Sequence, residues 1–259
     1  MTESQALSRA FDGRRALVTG AGRGIGRAVS LRLAAAGAHV AILARTQDEL
    51  DEVAAAVGDL GATALVIKAD IGDAAQVAQA ASVALAEFGA VDVLVNNAGV
   101  VWPVGPLTTV DPAEWAAAIS INLLAPVALT RALLPAMLAR GFGRIVNISS
   151  GVAARPAAMI GGNAYAASKA GLEAHTLNLA AELSSSGVTV NTYRPGSVDT
   201  AMQAWIRNQP AERVGAELHE RFVSSFAQGT LITPDQSARA LLEHLSSDDT
   251  GQTWMYGDT

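Results

Sequence analysis

Short apolar runs alternate along the chain with longer stretches in which alanine, leucine, valine and isoleucine recur at helical spacing. The runs at residues 15–20, 38–44, 63–69, 91–95, 143–148, 188–193 and 252–256 read as strands. The segments after the first five, together with residues 234–246, read as helices. Thr46 and Glu49 have the spacing of a capping box, and Asp111, Pro112 and Glu114 that of cap, first-position proline and third-position acid. The helix opened at Asp111 is expected to run to about Arg140 with a disturbance at Pro126, because proline displaces the carbonyl four residues before it, here that of Asn122. That carbonyl either holds a water linked to Lys169 or is satisfied at a simple packing kink. Strands that alternate with helices imply an α/β, doubly wound Rossmann fold, with a mainly parallel sheet of about seven strands and ligands at their carboxyl ends.

The polar signatures fall at those ends. Gly20, Gly22, Gly24 and Gly26 follow the first strand and open a helix. A diphosphate can therefore approach backbone N–H groups at the helix N-terminus, and the second strand completes the βαβ unit that such a turn requires. The second strand ends at Ala44 and Arg45 rather than at the acid that holds an NAD ribose. This favours NADP(H), with Arg45 and Arg23 as clamps on a 2′-phosphate; NAD(H) stays open if Arg45 is merely solvated. Asn96, Asn97, Ala98 and Gly99 follow the fourth strand, as a binding turn or as ordinary turn chemistry. Tyr165 and Lys169 share one helix face. A fixed ammonium there is expected to lower the phenol pKa and suit it to general acid/base work, unless the spacing is fortuitous.

Composition narrows the classes. The chain has 259 residues, 50% of them hydrophobic, with no linker-like stretch, so a single domain over 1–259 is expected, with residues 200–228 as an amphipathic lid. A net charge of -6 without a basic run argues against nucleic acid and anionic membranes, and no stretch is read as a membrane span. The N-terminal residues lack the apolar core of a secretory signal, and there are no cysteines, so a cytoplasmic location is expected. The four histidines are scattered, so no metal is expected.

Seven pieces in this order, TGAGRGIG (19–26), Asp70, NNAG (96–99), Asn122, Ser150, YAASK (165–169) and RPGSVDT (194–200), make the sequence resemble the short-chain dehydrogenases/reductases over nearly its whole length. The resemblance implies that Tyr165 is the general acid in reduction and that Ser150 holds the substrate oxygen. It also implies that Lys169 tunes the phenol and binds the nicotinamide ribose, and that Asn122 anchors a relay water. For the cofactor it implies the diphosphate on Gly20, Gly24 and Gly26 with Arg23 and Ile25 beside them, and the adenine at Asp70 and Ile71. The inner ribose falls at Asn97, Ala98 and Gly99, and the nicotinamide at Pro195, Gly196, Val198 and Thr200. A homotetramer or homodimer through the two long helices follows from the same resemblance. The expected activity interconverts a ketone or aldehyde and its alcohol. An NAD(H)-dependent alcohol dehydrogenase, a non-redox enzyme of the same fold and a non-catalytic NADP(H) sensor are the alternatives. Trp102, Val152, Met159, Ile160, Met202 and Trp205 are expected to shape an apolar substrate pocket, unless they are core. The segment between Ser150 and Tyr165 is slightly longer than is usual in the family, and the C-terminus lacks the paired glycines of many members.

Overall fold

The computed structural model of the protein describes residues 11–257. Seven strands form one parallel sheet in the order β3-β2-β1-β4-β5-β6-β7. They are β1 (Arg15–Thr19), β2 (His39–Ala44), β3 (Ala64–Lys68), β4 (Val93–Asn96), β5 (Gly143–Ile148), β6 (Val188–Arg194) and β7 (Thr253–Met255). The central strands β4 and β5 are buried at every residue, as a sheet covered on both faces requires, which is why they read as unbroken apolar runs rather than alternating ones. Helices α1 (Gly24–Ala35), α2 (Gln47–Asp59) and α3 (Ala74–Phe88) connect the first four strands. Then come α4 (Pro112–Ile119), α5 (Ala125–Arg140) and α6 (Asn163–Glu182). The C-terminal part adds α7 (Ala201–Arg207), α8 (Ala211–Val214), α9 (Ala216–Ala227) and α10 (Pro234–Leu245).

One face of the sheet packs Val18, Val40 and Ile42 against Val29 and Leu33 of α1 and Leu241 of α10. The other packs Leu17, Leu94 and Ile145 against Val77 of α3, Leu129 and Leu133 of α5 and Leu179 of α6. A third cluster, with Val101, Val104, Met159, Tyr165, Ile206, Val214 and Leu218, lies where α7 to α9 fold over the sheet's carboxyl edge. Buried amides tie α6 to the sheet: Asn96 donates to Asn147 Oδ1 at 2.8 Å, and Asn147 donates to Thr176 Oγ1 at 2.8 Å.

Three local expectations change. Thr46 is the N-cap of α2, but its side chain makes no capping bond; Glu49 instead faces Arg23, with Nη1 to Oε1 at 3.4 Å. The cap at Asp111 forms as expected, its carboxylate accepting from the Ala113 N–H. The helix from Asp111 is broken by a π-helical turn at Ser120–Leu124, just before Pro126, and α5 carries a further proline, Pro135, in its interior. The run Pro112–Arg140 is also long and apolar enough to cross a membrane, with a mean hydropathy of 1.7, which corrects the reading that no stretch approaches one. Its Leu129, Leu133 and Met137 are buried in the core against the sheet, and this accounts for that hydropathy.

Candidate active site

A cleft of about 400 Å³ opens at the carboxyl edge, over β1 and β4, where the strand order reverses. Its first wall is the Gly-rich turn. Gly20 and Gly24 have φ of +63° and +56°, which side-chain-bearing residues rarely adopt. A Cβ on Gly26 would lie 2.2 Å from the Gly20 carbonyl oxygen, so α1 can lie this close to β1 only without one. Arg23, the N-cap of α1, makes no side-chain cap bond, and the first turn holds no acid. The N–H groups of that turn are therefore left for an anion, and the wall fits a dinucleotide diphosphate.

Asn97 Nδ2 donates to the Thr19 carbonyl at 2.8 Å, and the N–H groups of Asn97 and Ala98 donate to Thr19 Oγ1 at 3.0 Å, clamping the ends of β1 and β4 together. Arg45 faces Asp70 at 3.8 Å, and Asp70 Oδ1 accepts from the Gly72 N–H at 2.8 Å. Both arginines of the far wall, Arg23 and Arg45, are about two-thirds exposed in pairs worth little, so an anion can draw them away from Glu49 and Asp70.

The floor holds the titratable pair. Tyr165 and Lys169 are buried, at 9% and 4% exposure, and both reach the cleft. Burial raises the Tyr165 phenol above its ordinary pKa of 10.0, and a hydrogen bond with Ser150 opposes this. Burial pushes Lys169 down to about 8, against the opposing charge of Glu173. Lys169 Nζ donates to the Ile148 carbonyl at 2.7 Å and sits 5.8 Å from the phenol ring centroid. The expectation that Lys169 lowers the phenol is thus not met in this arrangement: the ammonium is turned to a main-chain oxygen, and burial, opposed by the Ser150 hydrogen bond, sets the direction of the shift.

Asn122 lies behind the floor, in the π-helical turn. Its Oδ1 accepts from the Val100 N–H at 2.8 Å, and its Nδ2 donates to the Val100 carbonyl at 2.8 Å and to Ser168 Oγ at 3.1 Å. The side chain is fully engaged, which leaves main-chain groups for any water. Gly99 keeps this corner open: a Cβ there would meet Asn122 Oδ1 at 3.1 Å and Lys169 Nζ at 3.5 Å.

The cleft wall includes most of the sequence-predicted residues: Gly20, Arg23, Gly24, Ile25, Arg45, Asp70, Ile71, Asn97, Ala98, Gly99, Pro195 and Thr200, with Trp102, Met202 and Trp205 at the substrate end. Thr200 caps α7 and faces Gly24 across the cleft, its Cγ2 lying 3.6 Å from where a Gly24 Cβ would be. Ser150, Asn122 and Gly26 sit behind the wall. Gly196 has φ +80° against Ile232 and Tyr256, and Val198 forms an isolated bridge with Ile232, so these two support the wall rather than line it. Met159 and Val152 belong to the apolar cluster under α7 to α9, and Ile160 points to solvent at 76% exposure. Sequence reasoning brought Ser149 to this edge without a role, and missed Ile121, Val100, Val101 and Glu49 in the wall and Glu173 behind it. Only Glu173 left a usable signal: it continues the face of Tyr165 and Lys169 at the same four-residue step.

Comparison with known proteins agrees with this geometry. The family model for short chain dehydrogenase matches residues 14–211. The chain is 39% identical over 230 residues to the short-chain reductase protein NovJ of Streptomyces niveus, covering 88% of this chain and 85% of that protein. It is 36% identical over 242 residues to cis-4-hydroxycyclohexanecarboxylate dehydrogenase of Sinomonas cyclohexanicum, covering 93% and 92%. Among solved structures, one from Beutenbergia cavernae, assigned as an NAD(P)-dependent gluconate 5-dehydrogenase with NADP bound at low occupancy, superposes with a TM-score of 0.82. It is 37% identical and covers 95% of each chain. A doubly wound sheet with a glycine-lined cleft at its switch point, with Tyr165 and Lys169 on the cleft floor and Ser150 bonded to the phenol from behind, defines a dinucleotide-fold oxidoreductase class. Within it, the chain belongs to the short-chain dehydrogenase family.

Proposed function

We propose that the protein is an NADP(H)-dependent oxidoreductase that interconverts a ketone or aldehyde and its alcohol. The observation that carries this reading is the convergence on one floor of a buried phenol bonded to Ser150 and a buried ammonium, beneath a helix N-terminus free of acids. Its relatives named as a reductase and as a hydroxy-acid dehydrogenase lend it support.

A bound nicotinamide supplies or accepts the hydride. The residues of the chain do the rest. Ser150 and Tyr165 hold the carbonyl oxygen, and Tyr165 Oη gives up its proton to that oxygen in reduction and takes it back in oxidation. Lys169 holds the cofactor ribose and replenishes the phenol through the polar corner at Asn122. The N–H groups at the start of α1 hold the diphosphate, and Arg23 and Arg45 hold a 2′-phosphate, since β2 ends at Ala44 and Arg45 rather than at an acid that holds a ribose hydroxyl. Trp102, Met202 and Trp205 exclude water and favour a hydrophobic carbonyl. The segment 200–228, with α7 to α9, acts as the lid over this end.

The test is parallel fluorescence titration with NADPH and NADH, followed by turnover of a panel of cyclic ketones, 3-oxoacyl thioesters and aldehydes with NADPH deuterated at C4. Tighter NADPH binding and deuterium in the alcohol carbon are expected. Cofactor binding without transfer to any panel member favours the sensor reading.

A further inference from the structure

Behind the cleft, one carboxylate of α6 bonds to the ends of both β5 and β6. Glu173 lies one turn beyond Lys169 on α6, with its side chain 14% exposed. Its Oε1 accepts from Ser149 Oγ at 2.6 Å and from Arg194 Nε at 2.9 Å, and its Oε2 accepts from Arg194 Nη2 at 2.7 Å. This is a bidentate guanidinium pair with a third, short hydrogen bond, the geometry that fixes orientation most firmly.

The position of these bonds matters more than their number. The β5–β6 ladder ends at the pairing of Ile148 with Tyr193. The next residues, Ser149 and Arg194, are where the two strands part toward their functional loops, and there Glu173 joins them. Ser149 precedes Ser150, and Arg194 precedes the Pro195-Gly196 turn. Ile148, the last residue of the ladder, supplies the carbonyl that Lys169 Nζ grips. We propose that Glu173 is a positioning residue: its carboxylate locks the ends of β5 and β6 to α6, and so fixes Ser150, Lys169 and the Pro195-Gly196 turn relative to one another.

Charge works in the same direction. A buried ammonium is costly, and the Glu173 charge is the influence that favours the charged form of Lys169 against that burial. The groups facing Lys169 are Tyr165 and Glu173 on its own helix and Arg194 of β6, which acts through Glu173. The end of β5 contributes a carbonyl and two serine hydroxyls, and the π-helical turn contributes the neutral Asn122. Replacing Glu173 with a neutral residue therefore leaves Lys169 without its opposing charge.

The role of this site in cofactor binding rests on the reading proposed above, but the positioning itself is measurable without turnover. The chain contains two lysines, Lys68 and Lys169, so ¹³C-lysine labelling gives two resonances, with exposed Lys68 as internal reference. In the protein alone, Lys169 is expected to titrate near 8. In Glu173→Gln its midpoint is expected to fall by roughly half a unit or more, and NADPH affinity to fall about tenfold at pH 8. A second variant, Ser149→Ala, keeps both charges and removes only the tie to β5. It is expected to leave the Lys169 midpoint in place and to weaken NADPH about threefold. An unmoved Lys169 midpoint in Glu173→Gln, or wild-type NADPH affinity in both variants, overturns the inference. A Lys169 shift in a protein that transfers no hydride sinks the enzymatic reading and leaves the positioning role standing.

Discussion

At the scale of single residues, burial sets the protonation state of the phenol on the cleft floor, and the proposed chemistry turns on it. A phenol whose pKa is raised by burial keeps its proton through the neutral range, which suits it to donate in reduction. Alcohol oxidation needs the ionised phenol, so its rate is expected to rise with pH beyond the neutral range while reduction stays flat there. Tyr165→Phe is expected to lower turnover by roughly 10²- to 10⁴-fold in both directions while NADPH affinity stays within about threefold. Comparable losses in turnover and affinity would make Tyr165 a structural residue. At the far wall, Arg45→Asp is expected to weaken NADPH by about 1.5 to 3 kcal/mol through loss of a charge-assisted bond, with NADH affected far less. An unchanged ratio of the two affinities removes Arg45 from the phosphate site.

At the scale of elements, close approach is what makes the turn after β1 a binding wall. In Gly26→Ala the new Cβ meets the Gly20 carbonyl oxygen at 2.2 Å and Asn97 Nδ2 at 2.5 Å, and the first of these is backbone that cannot swing away. The variant is expected to lose about 1 to 3 kcal/mol in urea denaturation, together with NADPH binding. Gly58→Ala, in α2 with nothing within 4 Å of its added Cβ, is expected to gain about 0.5 to 1 kcal/mol instead. Equal effects at the two positions would mean that packing at Gly26 is not limiting. The strands and these glycines were legible in the sequence because a doubly covered parallel sheet writes itself as apolar runs, and because positive φ and close approach demand glycine. The π-helical break after Ile119 was legible only as a disturbance at Pro126, since the sequence does not say how the helix will rearrange around a missing N–H. Glu49 was legible as a capping residue and is instead drawn to Arg23, a choice made by the approach of two loops. Glu173 could be placed on the face of Tyr165 and Lys169 from its spacing, but its junction with Ser149 and Arg194 was not legible, because the three come from three elements and converge only when β5 and β6 stop pairing.

At the scale of the whole molecule, the site is held against the stability of the fold, and Lys169 allows that opposition to be measured. Its folded pKa of about 8 lies below the ordinary 10.5. Below pH 8 the full cost of burying the charged form is present, on the order of 3 kcal/mol for that separation. Between pH 8 and 10.5 the folded state has released a proton that the unfolded state still binds, so this contribution makes stability rise with pH. Lys169→Met removes the charge but leaves the Ile148 carbonyl without its donor, a loss of about 1 to 2 kcal/mol. The variant is therefore expected to be inactive yet more stable than wild type by about 1 to 2 kcal/mol at pH 7. That advantage is expected to shrink steadily from pH 8 upward and to vanish or reverse by about pH 10.5, where the wild-type ammonium has been neutralised. The difference between the two proteins' urea midpoints across pH 6 to 10.5 measures it directly. A difference that does not change with pH would show that the fold does not bear the cost of Lys169, and that the ammonium is stabilised well enough in place by Ile148 and Glu173.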